Sequence, residues 1–81
     1  MRLDKYLKVS RLIKRRTVAN EACDSGRIMA NGKVARASYE VKVGDVITIE
    51  MGAKPVCVRV LSVAEHATKE DAALLYTIVE S

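Results

Sequence analysis

Residues 25–36 read SGRIMANGKVAR, and this stretch contains both a helix-ending signal and a complete β-hairpin signal. Gly26 is placed to end a helix in the left-handed backbone conformation, which glycine adopts without steric cost. The pair Asn31-Gly32 separates two short apolar runs, and both residues tolerate the positive φ angles of a type I′ turn. The stretch therefore predicts a helix that ends near Ser25 and a tight hairpin that turns at Asn31-Gly32.

The residues before this stretch predict two helices. Leu3 and Leu7 lie one helical turn apart, whereas basic residues recur every third position on another face, so residues 2–9 indicate an amphipathic helix with a basic side. A helical apolar stripe resumes over residues 18–23 and indicates a second helix. Thr17 is a candidate cap for this helix, and a start one or two residues earlier is also open.

The residues after the hairpin predict further strands and a short helix. Residues 46–50 alternate apolar and polar side chains, as a half-buried strand does, and the β-branched run 56–63 is expected to pair with them. Thr68 and Asp71 resemble a capping box that opens a short helix through Leu75. Residues 76–81 are compatible with either a strand or a tail. The order of elements predicts an α+β fold.

Charge is distributed unevenly along the chain. Residues 1–36 contain ten basic and three acidic residues, a balance of +7, whereas residues 37–81 contain four basic and seven acidic residues, a balance of −3. A basic half of this kind is typical of proteins that bind polyanions, and the alternative is a basic face that serves solubility alone.

Several classes of site are not indicated by the composition. Cys23 and Cys57 lack the spacing of a zinc site or a disulfide framework and are interpreted as buried thiols. His66 is the only histidine and is expected in a surface loop, so no nucleophile-base pair is evident. No apolar run approaches the roughly 20 residues that span a bilayer. We therefore expect a cytoplasmic protein that is not an enzyme and needs no metal or cofactor.

The basic residues are the candidate binding site. We expect one continuous patch that binds phosphate groups, in which arginine contributes bidentate contacts and lysine less directional charge. The members of this predicted patch are Arg2, Lys5, Lys8, Arg11, Lys14, Arg15, Arg16, Arg27, Lys33 and Arg36.

Three further residues allow two interpretations each. Asp4 either stabilises the first turn of the first helix or holds a neighbouring arginine, such as Arg16, in the orientation that meets RNA. Asn31 either adds a polar contact or only forms its turn, and the turn is the stronger interpretation. Tyr6 either stacks on a base or packs in the core.

The combined pattern closely resembles the S4-type RNA-binding domain, first described in a ribosomal small-subunit protein. The resemblance covers about residues 2–50 and rests on the segments 2–7, 10–11, 14–17, 25–28, 31–33 and 41–47. It implies two helices packed on a small, twisted, mainly antiparallel sheet, with structured RNA bound by the helices and the adjoining hairpin. It also adds Ser10 to the implied RNA contacts. Arg15 departs from the pattern, because many members have a serine or threonine cap there.

The resemblance is strongest to stand-alone members of the family, in particular the RqcP group of bacterial ribosome-associated quality-control factors. It implies one RNA-binding domain over residues 1–81, monomeric, with the core motif at 2–50 and an extension at 51–81. The implied partners are the rRNA of an obstructed large ribosomal subunit, its peptidyl-tRNA and RqcH, which adds C-terminal alanine tails. The alternatives are a heat-shock-type recycling factor for such subunits and an rRNA-stabilising assembly protein.

Overall fold

The computed structural model describes residues 1–79, which contain three helices and five strands. The helices are α1 (Leu3–Val9), α2 (Arg16–Asp24) and α3 (Lys69–Ala72), and the strands are β1 (Ile28–Ala30), β2 (Lys33–Val34), β3 (Val46–Ile49), β4 (Val56–Val60) and β5 (Tyr76–Ile78). The strands form one sheet in the order β2-β1-β3-β4-β5, and each neighbouring pair is antiparallel. The predicted α+β class is confirmed.

The end of α2 is set by a glycine, as predicted. Gly26 has φ +78°, and its N–H donates to the carbonyl of Cys23 at 3.1 Å. The next N–H, that of Arg27, donates to the carbonyl of Ala22 at 3.0 Å. These two bonds form a Schellman motif, which satisfies carbonyls that the helix end leaves free and turns the chain directly into β1.

The hairpin between β1 and β2 has the predicted two-residue turn. Asn31 and Gly32 have φ angles of 53° and 83°, and Ala30 lies opposite Lys33 across the turn. Positive φ at both turn residues matches the twist of the flanking strands, so the local sequence is sufficient to specify the hairpin.

The core lies between the two N-terminal helices and one face of the sheet. Leu3, Tyr6 and Leu7 of α1 are fully buried, and α2 contributes mainly small side chains, which allow α1 to approach closely. The sheet covers this layer with Ile28, Ile47, Val58 and Val60. Of the two interpretations of Tyr6, the structure supports core packing.

The C-terminal elements are shorter than predicted, and hydrogen bonds explain why. The N–H groups of Leu61 and Ser62 both donate to the carbonyl of Leu75, which interrupts the regular ladder after Val60. The helix α3 ends at Ala72 because the N–H of Leu74 already bonds three residues back, to Asp71. The ambiguous C-terminal segment forms β5 over Tyr76–Ile78, and its last two residues lie outside the described range.

The two cysteines differ in their surroundings. Cys23 is buried, as predicted, and burial followed by the charges of Asp4 and Asp24 raises the pKa of its thiol to about 11. Cys57 is only half-buried, with its sulfur 3.4 Å from the hydroxyl of Thr48, so the expectation of a buried thiol is wrong for this residue. Cys57 alternates with the buried Val58 along β4, so its side chain lies on the face of the strand opposite the core and is partly open to solvent.

Within the described residues 1–79, no helix has the length and apolar character needed to cross a bilayer. The same residues contain no cluster of histidine, cysteine or acidic side chains arranged to hold a metal ion.

Candidate nucleic-acid interface

Asp4 is a buried carboxylate that joins α1 to α2. Its Oδ1 accepts hydrogen bonds from the backbone N–H of Lys5 at 2.8 Å and from Nε of Arg2 at 3.2 Å. Its Oδ2 accepts from Nε of Arg16 and from the side-chain amide of Asn20, both at 3.3 Å. The carboxylate therefore satisfies a free N–H in the first turn of α1 and also holds two arginines, whereas the contact of these arginines with RNA stays a prediction.

Burial and hydrogen bonding act on Asp4 in opposite directions. Burial alone raises the pKa of the carboxyl, but the hydrogen bonds from Arg2, Asn20, Arg16 and the Lys5 N–H outweigh it and hold the pKa below its ordinary value. The Asp4 side chain is 3% exposed, whereas those of Arg2 and Arg16 are 51% and 48% exposed. An ionised carboxylate beneath the surface thus fixes two guanidinium groups that remain accessible to an external anion.

Asn20 is a site residue that the sequence analysis missed. It follows Arg16 by four positions, so the two side chains lie on the same face of α2. That spacing is a usable signal, but it becomes informative only when α1 is known to place Asp4 against this face.

The predicted basic residues fall into several groups on the surface. Arg2 and Arg16 meet at Asp4, while Lys8, Arg11 and Lys14 line a cleft beside the segment 65–69. Lys33 and Arg36 line a separate depression next to the hairpin. Arg27 lies apart from these groups, next to Met51. Arg15, the N-terminal flanking residue of α2, is exposed and makes no side-chain cap, in agreement with its departure from the family pattern.

Lys5 is engaged within the fold. Its ammonium group forms an ion pair and hydrogen bond with Glu65, and this contact is the main cause that lowers the pKa of Glu65. The lysine is about one-third exposed. Lys5 therefore connects α1 to Glu65 and is less accessible than Lys8, which is exposed.

Two of the polar candidates have structural roles. Ser10 is 1% exposed and its hydroxyl donates to the carbonyl of Leu7 at 3.2 Å, so the structure places it beneath the surface, and the RNA contact that the resemblance implies stays a prediction. It caps the C-terminal end of α1. The side-chain amide of Asn31 donates to Asp45 and its oxygen accepts from the N–H of Val46. Asn31 is exposed, but its amide already holds the turn against the start of β3.

Two carboxylates with lowered pKa values, those of Asp4 and Asp45, are expected to make the fold less stable at low pH. The pKa of Asp45 is also lowered: burial raises it, and the stronger combined effect of the Lys42 N–H, Asn31 and Tyr39 lowers it. A depressed native pKa adds stability above the ordinary value of 3.8, and that stability is lost as the pH falls through the native pKa. We expect the melting temperature to fall as the pH drops below 3.8 and to fall less steeply in Asp4→Asn and Asp45→Asn.

Thermal melts followed by circular dichroism across this range measure the effect. Glu50→Gln, at an exposed carboxylate, is the matched control. If the melting temperature falls equally steeply with pH in wild type, Asp4→Asn and Asp45→Asn, the two carboxylates are not the cause of the loss of stability.

Comparison with known proteins places this geometry in context. The model of the S4 domain matches residues 1–47. The RQC P-site tRNA stabilizing factor of Bacillus subtilis strain 168 is 55% identical over 80 residues, which cover 99% of this chain and 93% of the relative. The factor of the same name from Streptococcus pneumoniae is 54% identical over 79 residues, covering 98% and 90%.

A second group of similar proteins comprises heat shock protein 15 and an uncharacterised relative. The heat shock protein 15 homologue of Haemophilus influenzae is 29% identical over 82 residues, which cover all of this chain and 63% of the relative. The trimeric structure of Vibrio cholerae heat shock protein 15 superposes with a TM-score of 0.91 at 28% identity, covering 98% of this chain and 81% of that one. A solution structure of a hypothetical protein has a TM-score of 0.85 at 31% identity, with 100% and 99% coverage.

Proposed function

Because the chain belongs to the S4 domain family, we propose that it is an RNA-binding factor in ribosome quality control that stabilises tRNA in the P site. The observation that carries this proposal is the 55% identity, over 99% of the chain, to a relative named RQC P-site tRNA stabilizing factor. In this proposal the protein acts by binding alone, without catalysis, in the cytoplasm where ribosomes work.

The geometry at Asp4 supports RNA binding. Arg16 is held through its Nε atom alone, whereas Arg2 is held through Nε and also through one Nη group, which donates to Oδ2 of Asp4 at 3.5 Å. In this proposal both Nη groups of Arg16 and the other Nη group of Arg2 contact phosphate oxygens. Orienting a guanidinium before binding reduces the side-chain entropy that is lost in the complex. The proposed contact set is the basic group predicted from the sequence, with Asp4 and Asn20 as positioning residues.

The proposal extends to the particle that is bound. The protein acts as a monomeric single domain, residues 1–81, on obstructed large subunits, where it contacts rRNA and peptidyl-tRNA while RqcH adds alanine to the nascent chain. Cosedimentation of the tagged protein on a sucrose gradient, with the large-subunit fractions probed for peptidyl-tRNA and RqcH, tests this. Association of the protein with precursor particles or free RNA would instead favour an assembly role.

A heat-shock-type recycling factor is the second candidate. It is favoured by the TM-score of 0.91 to Vibrio cholerae heat shock protein 15. The two candidates differ in their dependence on RqcH, because recycling of peptidyl-tRNA requires no tailing. Loss of alanine tails on deletion of the gene supports the first candidate, and unchanged tailing supports the second.

Replacing Arg16 with Ala is expected to weaken binding to large subunits about tenfold or more, since one charge-assisted contact is lost. Stability should change by about 1 kcal/mol at most, because the side chain is half exposed and Asp4 keeps its other donors. Quantitative cosedimentation measures the binding. Arg59→Ala, at an exposed arginine on β4, is the matched control, and equal binding by both variants would remove Arg16 from the site.

A further inference from the structure

We infer that the cleft between the α1–α2 junction and residues 65–69 binds a phosphate group of the RNA backbone, with Lys69 and His66 as ligands from the C-terminal segment. This inference rests on the proposed function for the nature of the ligand, and it extends the binding surface to residues outside the family match at 1–47.

The cleft brings cations together from two distant parts of the chain. Its volume is about 480 Å³, and its basic lining consists of Lys8, Arg11, Lys14, His66 and Lys69. A cleft of this size lies within the range of small-ligand sites, which is about 300–1,000 Å³. It is therefore suited to a phosphate with its adjoining sugar, whereas an RNA helix is too wide to enter it.

The charge balance of the cleft favours an anion. Among the described residues that line the cleft, Glu65 is the one acidic residue, and the Lys5 ammonium group already binds its carboxylate. Four lysine and arginine side chains therefore line the cleft together with a carboxylate that is already paired. Residues 37–81 have a net charge of −3, yet within this acidic half Lys69 and His66 both line the cleft.

The backbone at Arg11 supports a role for the cleft beyond folding. Arg11 directly follows the C-cap of α1 and has φ +62°, in the left-handed region where glycine is unstrained. A non-glycine residue is strained in this region because its Cβ lies too close to the following carbonyl oxygen. Strain of this kind is found preferentially at binding sites, and at this position an arginine side chain lines the cleft.

The C-terminal segment is held in place by independent contacts. The hydroxyl of Thr68 accepts a hydrogen bond from the N–H of Asp71 at 3.1 Å, which fixes the start of α3 at Lys69. The hydroxyl of Tyr6 donates to the carbonyl of Leu75 at 2.7 Å and ties the same segment to α1. The ion pair between Lys5 of α1 and Glu65 connects the two sides of the cleft directly.

The test measures binding of the full chain to purified large subunits that carry peptidyl-tRNA, at salt concentrations from about 0.05 to 0.2 M. Each phosphate contact releases about 0.7–0.9 counterion. Lys69→Ala is therefore expected to weaken binding about five- to eightfold at 0.1 M salt. It should also make the plot of the logarithm of the binding constant against the logarithm of the salt concentration less steep by about 0.7–0.9. Lys69→Arg should restore both values. Lys54→Ala, at an exposed lysine in the loop between β3 and β4, should leave both unchanged.

A second measurement is independent of the ribosome. Inorganic phosphate, titrated against chloride at equal ionic strength, should shift the backbone amide signals of residues 8–14 and 65–69 in NMR spectra. Wild-type behaviour of Lys69→Ala, or phosphate shifts spread over the surface, would overturn the inference while leaving the proposed function in place. If wild type fails to bind large subunits, the proposed function is wrong, and the phosphate titration alone decides whether the cleft binds anions.

Discussion

Asp4→Lys is expected to abolish binding to large subunits and to destabilise the fold by about 3–5 kcal/mol, the usual effect of leaving buried charges without their partner. The substitution places an ammonium group beside the guanidinium groups of Arg2 and Arg16 in a position that is 3% exposed. It also removes the acceptor of the Lys5 N–H in the first turn of α1. Since small domains are stable by only about 5–15 kcal/mol, a large part of the folding free energy is affected.

Asp4→Asn separates positioning from folding. The amide retains the size of the carboxyl and one acceptor oxygen, but its NH2 group cannot accept hydrogen bonds from Arg16 and Asn20. We expect this variant to remain folded, with binding weakened about tenfold, as in Arg16→Ala. Thermal melts and cosedimentation on both Asp4 variants check the prediction. Wild-type binding by folded Asp4→Asn would show that the carboxylate has a purely structural role.

Tyr6→Ala is expected to destabilise the fold as much as Asp4→Lys, by about 3–5 kcal/mol, because it leaves a cavity at a fully buried aromatic position. The same change removes the hydrogen bond from the Tyr6 hydroxyl to the carbonyl of Leu75. Burial and the nearby Tyr76 raise the pKa of the Tyr6 hydroxyl to about 12, so it stays protonated and donating through the physiological range.

Tyr6→Phe is the matched control for this prediction. It keeps the ring and loses only the hydroxyl, and the carbonyl of Leu75 still accepts from the N–H groups of Leu61 and Ser62. A loss of about 1 kcal/mol is expected. Urea denaturation with an unchanged m-value measures both variants. Equal midpoints for Tyr6→Ala and wild type would mean that the ring does not fill the core as described.

Family membership and the positioning of Arg2 and Arg16 support the same function by independent routes. The family match places the chain in the S4 domain family, and the geometry shows that Asp4 fixes two guanidinium groups that stay about half exposed. The heat shock protein 15 structure has the same fold, so fold alone does not distinguish quality control from recycling. That distinction depends on the RqcH experiment.

The sequence by itself determined the local features of this protein. The left-handed turn at Gly26, the hairpin at Asn31-Gly32 and the cap at Thr68 were all predicted, because each depends on backbone preferences within a few residues. The basic character of residues 1–36 could also be predicted, because the charged residues are counted directly from the sequence. The end of β4 was predicted less well because the Leu75 carbonyl interrupts the strand ladder there, and the end of α3 because the N–H of Leu74 bonds back to Asp71.

The tertiary structure alone decided which side chains share a site. Asn20 reaches Asp4 only because α1 packs on α2, and Lys5 meets Glu65 across 60 positions in the sequence. Ser10 is buried at a helix end although Arg11 beside it is exposed, a difference that the motif match did not indicate. Local preferences act over a few residues, whereas the position of a side chain in a site depends on how separate elements pack around the common core.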